Sequence, residues 1–420
     1  MRSRRPSTDR SARRSSCWVG LAVVLGVVAA SCTAPPAPTA PVERMDVSTP
    51  GVGGNGGCCW VDGYATQSIN GRYVMFNSTS DNLVPGDTNG APVPSMDGLD
   101  WFVRDRVGLT TTRVSVDPTG AEFTTADPRS PYAGGLSPNG RFAAFIAGST
   151  PQNLYIWDRL TSSTSLMFSP TLFGYYVQGT LEVSNDGLVV AFPAAAAAGR
   201  RAIVYESGVG SSDVGSAENS PVRLSADGRY VAADHYVHDR TLATTSALVT
   251  GGSGTDVVIA MGSDARHVLF STDRVGLLAA DTNSADDLYV KDTLTGGYRL
   301  ASAGGGVNGI APTGGWALNT FPTGIGIMNL RFALGSISDD GDSVVFTTEV
   351  DGVVPADSNG GFDTFVRDMN TGSTTWATAS YDPFPLRWSI HSGDVLSGDG
   401  SRVVLEGIRS GEAGLWSQPA

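Results

Sequence analysis

Hydrophobic and polar positions along the chain fall into a repeating text, a tight polar turn followed by an apolar run. It reads Ser68-Ile69-Asn70-Gly71-Arg72-Tyr73-Val74-Met75-Phe76, then Ser137-Pro138-Asn139-Gly140-Arg141-Phe142 continuing to Phe145. Further copies are Ser184-Asn185-Asp186-Gly187 leading to Phe192, Ser225-Ala226-Asp227-Gly228-Arg229-Tyr230-Val231, Ser338-Asp339-Asp340-Gly341 to Phe346, and Ser397-Gly398-Asp399-Gly400 to Leu405. A degenerate copy, Gly262-Ser263-Asp264-Ala265-Arg266-His267-Val268-Leu269-Phe270, lies between the fourth and the last two. Asn-Gly and Asp-Gly supply the positive φ angles of a hairpin turn, and the β-branched and aromatic run behind each predicts a buried strand. A second strand follows every time, as in Asp100-Trp101-Phe102-Val103-Arg104-Asp105 and Asp363-Thr364-Phe365-Val366-Arg367-Asp368. Its last copy, Gly414-Leu415-Trp416-Ser417, is truncated by the end of the chain. Most copies continue into a short turn and a Thr-rich strand such as Thr111-Thr112-Arg113-Val114-Ser115. With an apolar strand ahead of each turn, the repeat is a four-stranded meander, A-B-C-D.

Seven repeats of this kind predict an all-β fold, a seven-bladed β-propeller of four-stranded antiparallel blades over residues 44–420. The Ser-x-Asn/Asp-Gly turns and the Asp-x-Tyr-Val-x-Asp strands resemble the TolB-type, WD-repeat-like β-propeller family. The seventh repeat lacks strand D, and Arg44-Met45-Asp46-Val47-Ser48 is similar to the strand-D text Arg113-Val114-Ser115-Val116. The N-terminal segment is therefore expected to complete the last blade, close the ring and remove an open sheet edge.

Composition agrees with this reading. Of 420 residues 53 are Gly, and the charged residues comprise one lysine (Lys291), 27 arginines, eight glutamates and 33 aspartates. Lys and Glu are staple surface helix formers, whereas Asp and Gly favour turns, so a helical bundle is excluded.

The N-terminus changes the picture. Six arginines between Arg2 and Arg14 precede an apolar run from Cys17 to Ala30, too short to span a bilayer. Val28-Ala29-Ala30-Ser31-Cys32 resembles a bacterial lipoprotein signal, which implies a signal peptide at 1–31 and lipid on Cys32; the alternative is ordinary signal cleavage with Cys32 as a bystander. A Pro-rich tether at 32–43 follows. The protein is thus expected outside the cytoplasm, held to the cell membrane by lipid alone, as a monomer. Without residues 1–31, which carry six arginines and Asp9, the net charge of −13 becomes 22 − 40 = −18. No basic stripe for nucleic acid is present, so the expected partner is an envelope protein or a glycan.

Candidate chemistry is sparse. Loop lengths vary in the B–C and D–A connections, so one face of the ring is elaborated. Its largest insertion, Ala303 to about Met328, carries Trp316 and Phe321, which either stack on a ligand or form the loop's own small core. Three B–C loops share an Asp-x-Asn text at Asp87/Asn89, Asp281/Asn283 and Asp357/Asn359, with a further aspartate six residues on at Asp287 and Asp363. Alternating oxygen donors suit a hard cation such as calcium, although the EF-hand spacing is not met and such residues also cap turns. Cys58 and Cys59 are adjacent; they form a vicinal disulfide, stay free or pair between molecules. His235, His238 and His267 stand at ordinary strand positions and no Gly-x-Ser-x-Gly elbow is present, so a non-catalytic module is the first expectation. The alternative is an envelope carbohydrate-active hydrolase or lyase using carboxylates near the central channel.

Overall fold

The computed structural model describes residues 42–420 apart from 57–64, 91–97, 124–132, 148–152, 170–173, 175, 178, 198, 219, 252–253, 280, 282–286, 303–334, 349–351, 356, 358–362, 380–394 and 410–411. The expected signal peptide, Cys32, Cys58, Cys59, Asn283, Trp316, Phe321 and Asn359 lie outside the described residues.

Residues Ala40–Ala420 form one unit. It consists of seven antiparallel sheets, each running A-B-C-D from one edge to the other, and no helix occurs among the described residues. Blade 1 is Thr66–Gln67, Tyr73–Ser78, Asp100–Asp105 and Thr110–Arg113. Blade 2 is Gly134–Leu136, Phe142–Ala147, Asn153–Asp158 and Ser163–Phe168. In blade 3 strand A is split into Tyr176–Val177 and Glu182–Val183, both paired with Val189–Ala196, and Gly199–Glu206 and Gly210–Ser216 follow. Blade 4 is Arg223–Leu224, Tyr230–Ala233, Tyr236–Asp239 and Thr244–Ala247. Blade 5 is Asp256–Met261, His267–Thr272, Asp287–Asp292 and Tyr298–Leu300. Blade 6 is Gly335–Ile337, Ser343–Thr348, Asp363–Asp368 and Thr374–Trp376. Blade 7 takes Val395–Leu396, Arg402–Arg409 and Glu412–Pro419 from the C-terminus and its outermost strand, Glu43–Arg44, from the N-terminus.

The core is distributed between blades. Seven clusters of buried apolar residues each join two adjacent blades, for example Tyr73, Met75, Trp101 and Val103 with Ala143, Phe145 and Trp157 between blades 1 and 2. A blade covered on both faces has no solvent side. This explains why strand B reads as a continuous apolar run, and why all six residues of Tyr73–Ser78 are buried.

Neighbouring blades touch through their A strands all the way round, so strand A is innermost and lines the channel. The A–B turns add a closed belt of hydrogen bonds. Ile69 N donates to Pro138 O (2.7 Å), Asn139 N to Asn185 Oδ1 (2.8 Å), Asn185 N to Ala226 O (2.8 Å) and Ala226 N to Ser263 O (2.7 Å). Ser263 N donates to Asp339 Oδ1 (2.7 Å), Asp339 N to Gly398 O (2.8 Å), and Asp399 N returns to Ile69 O (2.7 Å). Each turn is rigid by itself. Ser137 Oγ donates to Asn139 Oδ1 (2.8 Å) and accepts from Phe142 N (2.9 Å), and the Asn139 carboxamide accepts from Arg141 N (2.9 Å). In the degenerate fifth turn Ala265 takes the glycine place at φ +61°, a conformation that costs an L-residue about 1–2 kcal/mol. Ala265→Gly is expected to stabilise the protein by up to about 1 kcal/mol, read as a higher denaturant midpoint with an unchanged slope.

Ring closure follows the sequence expectation, with the regular pairing one residue earlier than the matched text. Glu43 lies opposite Ser417 and Arg44 opposite Trp416. Beyond them the segment copies blade 1 bond for bond. Met45 N donates to Leu415 O as Val114 N does to Trp101 O (2.7 and 2.8 Å), and Val47 N bonds Met45 O as Val116 N bonds Val114 O (both 2.9 Å). One exchange keeps the chemistry. Where blade 1 has Asp100 on strand C and Ser115 on strand D, blade 7 has Gly414 and Asp46, and Asp46 Oδ1 accepts from Leu415 N (3.0 Å). A Cβ on Gly414 would stand 2.9 Å from that same oxygen, so the carboxylate has moved from one strand to the other.

Candidate functional site

The three Asp-x-Asn loops lie on the face formed by the B–C and D–A connections, and their aspartates point inward. Asp87 is nearly covered, and Asp281 and Asp357 are buried. The aspartates that open strand C fasten it to strand D. Asp100 Oδ1 accepts from Ser115 Oγ (2.5 Å), Asp287 Oδ1 from Ser302 Oγ (2.7 Å), and Asp363 Oδ1 from Thr378 Oγ1 (2.8 Å) and Trp376 Nε1 (2.7 Å). Asp281 Oδ2 accepts from Tyr289 Oη (2.6 Å), while its Oδ1 is buried with no hydrogen-bond partner. Asp287 and Asp363 therefore act first as strand clips.

Blade 1 differs. Asp87, Asp100 and Glu122 each bring one carboxylate oxygen within 4.8 Å of the other two. Asp87 belongs to the B–C loop, Asp100 begins strand C, and Glu122 comes from the D–A loop. Loop and loop are stitched together. Thr88 Oγ1 donates to Glu122 Oε2 (2.9 Å), and Asn89 Nδ2 donates to Phe123 O (3.0 Å). Arg113 Nη1 stands 3.3, 3.6 and 3.5 Å from Asp87, Asp100 and Glu122, and Nη2 donates to Gly86 O (3.3 Å). None of the three ion pairs has hydrogen-bond geometry: Nη1 and Nε of Arg113, Oδ1 of Asp87, Oδ2 of Asp100 and Oδ1 of Asn89 are buried without a hydrogen-bond partner.

Burial dominates the electrostatics here. Desolvation pushes the Asp100 carboxyl up to about 7 and the Asp87 carboxyl up to about 6, against the pull of Arg113. An acid raised above its unfolded value of about 3.9 binds more protons folded than unfolded, so its contribution favours the fold at low pH and is lost as pH rises through the folded value. In chelator-treated protein, stability is expected to fall by about 4 kcal/mol between pH 5 and pH 8, and Asp100→Asn should remove the larger part of that slope. The Arg-paired Asp239, held down to about 2 chiefly by its hydrogen bond from Arg229, acts below this window.

The channel wall carries less chemistry. Among the described strand-A residues the carboxylates are Glu182, paired with Arg223 of the next blade (2.7 Å), and Asp256, held by Arg274 (2.7 and 2.9 Å). At the turn mouth, a Cβ on Gly398 would stand 2.3 Å from Ile69 Cγ1 and 2.8 Å from Asp339 Oδ2, so that end of the ring is crowded. His267, at the start of strand B, is buried and bonds Asp339 O (2.9 Å) through Nδ1, and His238 bonds Thr245 Oγ1 (2.9 Å).

Sequence reading found Asp87 and Asn89 but missed Asp100, Arg113 and Glu122. The recurring aspartate at the head of strand C was the available signal. In blade 1 it stands thirteen residues after Asp87, against six in the other two loops.

Fold and site together define a seven-bladed β-propeller with a buried acidic cluster on its loop face. No family model matches the chain, and no curated protein matches it. Among solved structures it is similar to an oligogalacturonate lyase in complex with manganese, at 12% identity over 90% of both chains with a TM-score of 0.52. An oligogalacturonate lyase from Vibrio parahaemolyticus matches at 10% identity, 90% of this chain and 93% of the other, TM-score 0.55. TolB from Acinetobacter baumannii matches at 15% identity, 85% and 79%, TM-score 0.37. At these identities the likeness to the two lyases shows the fold alone. Among the described residues no helix is long and apolar enough to cross a membrane.

Proposed function

We propose that this propeller is a non-catalytic binding module of the bacterial cell envelope, anchored by lipid on Cys32, whose loop face takes an envelope protein or a glycan. The observation that carries the reading is the asymmetry of the two faces. The A–B turns are uniform, belted together and crowded at the channel mouth, whereas the B–C and D–A connections, whose lengths vary, and the acidic cluster belong to the opposite face. Variable loops on a rigid scaffold are the usual seat of binding. Glu43 pairs near the end of strand C, so the described chain begins on the turn side of blade 7. Calcium is the expected cofactor of the Asp-x-Asn loops within this reading.

A glycan array and a crosslinking pull-down from native envelope test it, run with the chain from residue 32 and with a variant in which 303–328 is shortened. Binding that depends on the insertion is the expected result. Full binding by the shortened variant would count against the loop face.

A second reading, a carbohydrate lyase or hydrolase of the envelope, draws support from the two oligogalacturonate lyases that share the fold. Incubation with polygalacturonate and manganese, followed for unsaturated product, separates the two; turnover would favour the enzyme.

A further inference from the structure

We infer that blade 1 holds a divalent-cation site of the calcium class, formed by Asp87, Asn89, Asp100 and Glu122 where the B–C loop meets the D–A loop. The inference stands apart from what the loop face binds. Three features of different kinds converge on it.

The first is spacing. Calcium binds oxygen at about 2.3–2.6 Å, so donors on opposite sides of one ion stand about 4.6–5.2 Å apart. The carboxylate oxygens of Asp87, Asp100 and Glu122 all lie within 4.8 Å of one another, and all are hard donors from two loops and one strand end.

The second is an amide with an idle oxygen. Asn89, two residues after Asp87 on the same loop, is 9% exposed, and its Nδ2 is pinned by Phe123 O. That bond fixes which amide atom is which, and leaves Oδ1 buried with no hydrogen-bond partner. A buried carbonyl oxygen without a donor is costly, and a cation satisfies it along with Asp87 Oδ1 and Asp100 Oδ2.

The third is charge. With all three ionised, the carboxylates face one guanidinium, leaving an excess of two negative charges in a covered place. Arg113 sits at ion-pair distance from all three without a hydrogen bond to any, and its Nη2 is turned to Gly86 O. It supplies one charge, and a divalent ion supplies the remaining two. The clip from Ser115 to Asp100 and the tie from Thr88 to Glu122 hold two of the donors in place beforehand.

Calorimetric titration of calcium chloride into the chelator-treated protein tests the site, with magnesium chloride run alongside. Extracellular modules of this chemistry bind calcium at about 10⁻⁴–10⁻³ M. The expected result is heat from calcium in excess of that from magnesium, one equivalent of which disappears in Asp87→Asn. Glu122→Gln, on the loop rim, is expected to fold normally and to weaken that same equivalent at least tenfold. Terbium provides a second readout. Seated beside Asp100 it should luminesce on excitation of the neighbouring buried Trp101, and calcium should quench the signal by displacement. No heat and no sensitised emission would overturn the inference. So would calcium binding of unchanged stoichiometry in both variants, because the ion would then lie elsewhere.

Discussion

Removal of residues 42–49 is expected to lower the melting temperature sharply and to leave a protein that associates through blade 7. These residues are the fourth strand of that blade, and without them Glu412–Pro419 becomes an open edge able to template pairing with another chain. Three kinds of contact are lost together. Met45, 1% exposed, packs with Val74, Phe76, Phe102, Val404 and Leu415 between blades 7 and 1. Glu43 accepts two bonds from Arg106 of blade 1 (3.0 and 2.9 Å), and Asp46 accepts from Arg44 and from Leu415 N. The single substitution Met45→Ala isolates the packing part, and a loss of about 2–4 kcal/mol is expected from the cavity. Thermal unfolding with size-exclusion chromatography checks both. A melting temperature unchanged by the deletion would mean that the ring is not closed by this strand.

The second large effect concerns the inner circumference. Strand A of blade 2 begins Gly134-Gly135, and a Cβ on Gly135 would lie 1.7 Å from Leu181 O and 2.6 Å from Leu181 C, both backbone atoms of blade 3. Backbone cannot swing aside as a long side chain can, so Gly135→Ala must push two blades apart. Leu181 N, which donates to Gly134 O (3.2 Å), would lose its partner at the same time. A cost above about 4 kcal/mol is expected, enough to abolish folding in a marginally stable protein. Gly297→Ala is the control: its Cβ meets only Thr295 Oγ1 at 3.4 Å. Soluble yield and far-ultraviolet circular dichroism of the two variants should differ, the first failing and the second matching the parent.

The fold was legible because local turn chemistry and burial agree at every repeat. Ser, Asn or Asp, and Gly occupy fixed places in each A–B turn, and a strand buried on both faces must be apolar throughout. Closure was legible for the same reason, since Arg44–Ser48 makes the bonds of Arg113–Asp117 and carries its text. The split of strand A in blade 3 left no such trace, because its two pieces are two residues each. The acidic cluster was only half legible. Asp87 and Asn89 share a visible motif, but Arg113 belongs to a strand whose equivalent positions hold Leu300 and Trp376, and Glu122 to a D–A loop whose counterpart in blade 7 is Gly53. Side chains that meet from three connections, with no repeated text, are joined by the fold alone.

The belted, uniform turn face and the acidic cluster on the loop side support one reading, that the loop face is the working face. Site-specific photo-crosslinking in native envelope tests it most directly. A diazirine side chain at Val275, 58% exposed in the B–C loop of blade 5, is compared with one at Leu242, 64% exposed in the C–D turn of blade 4. The account predicts a specific adduct, protein or glycan, from Val275 and none from Leu242. An adduct from Leu242 alone would contradict it.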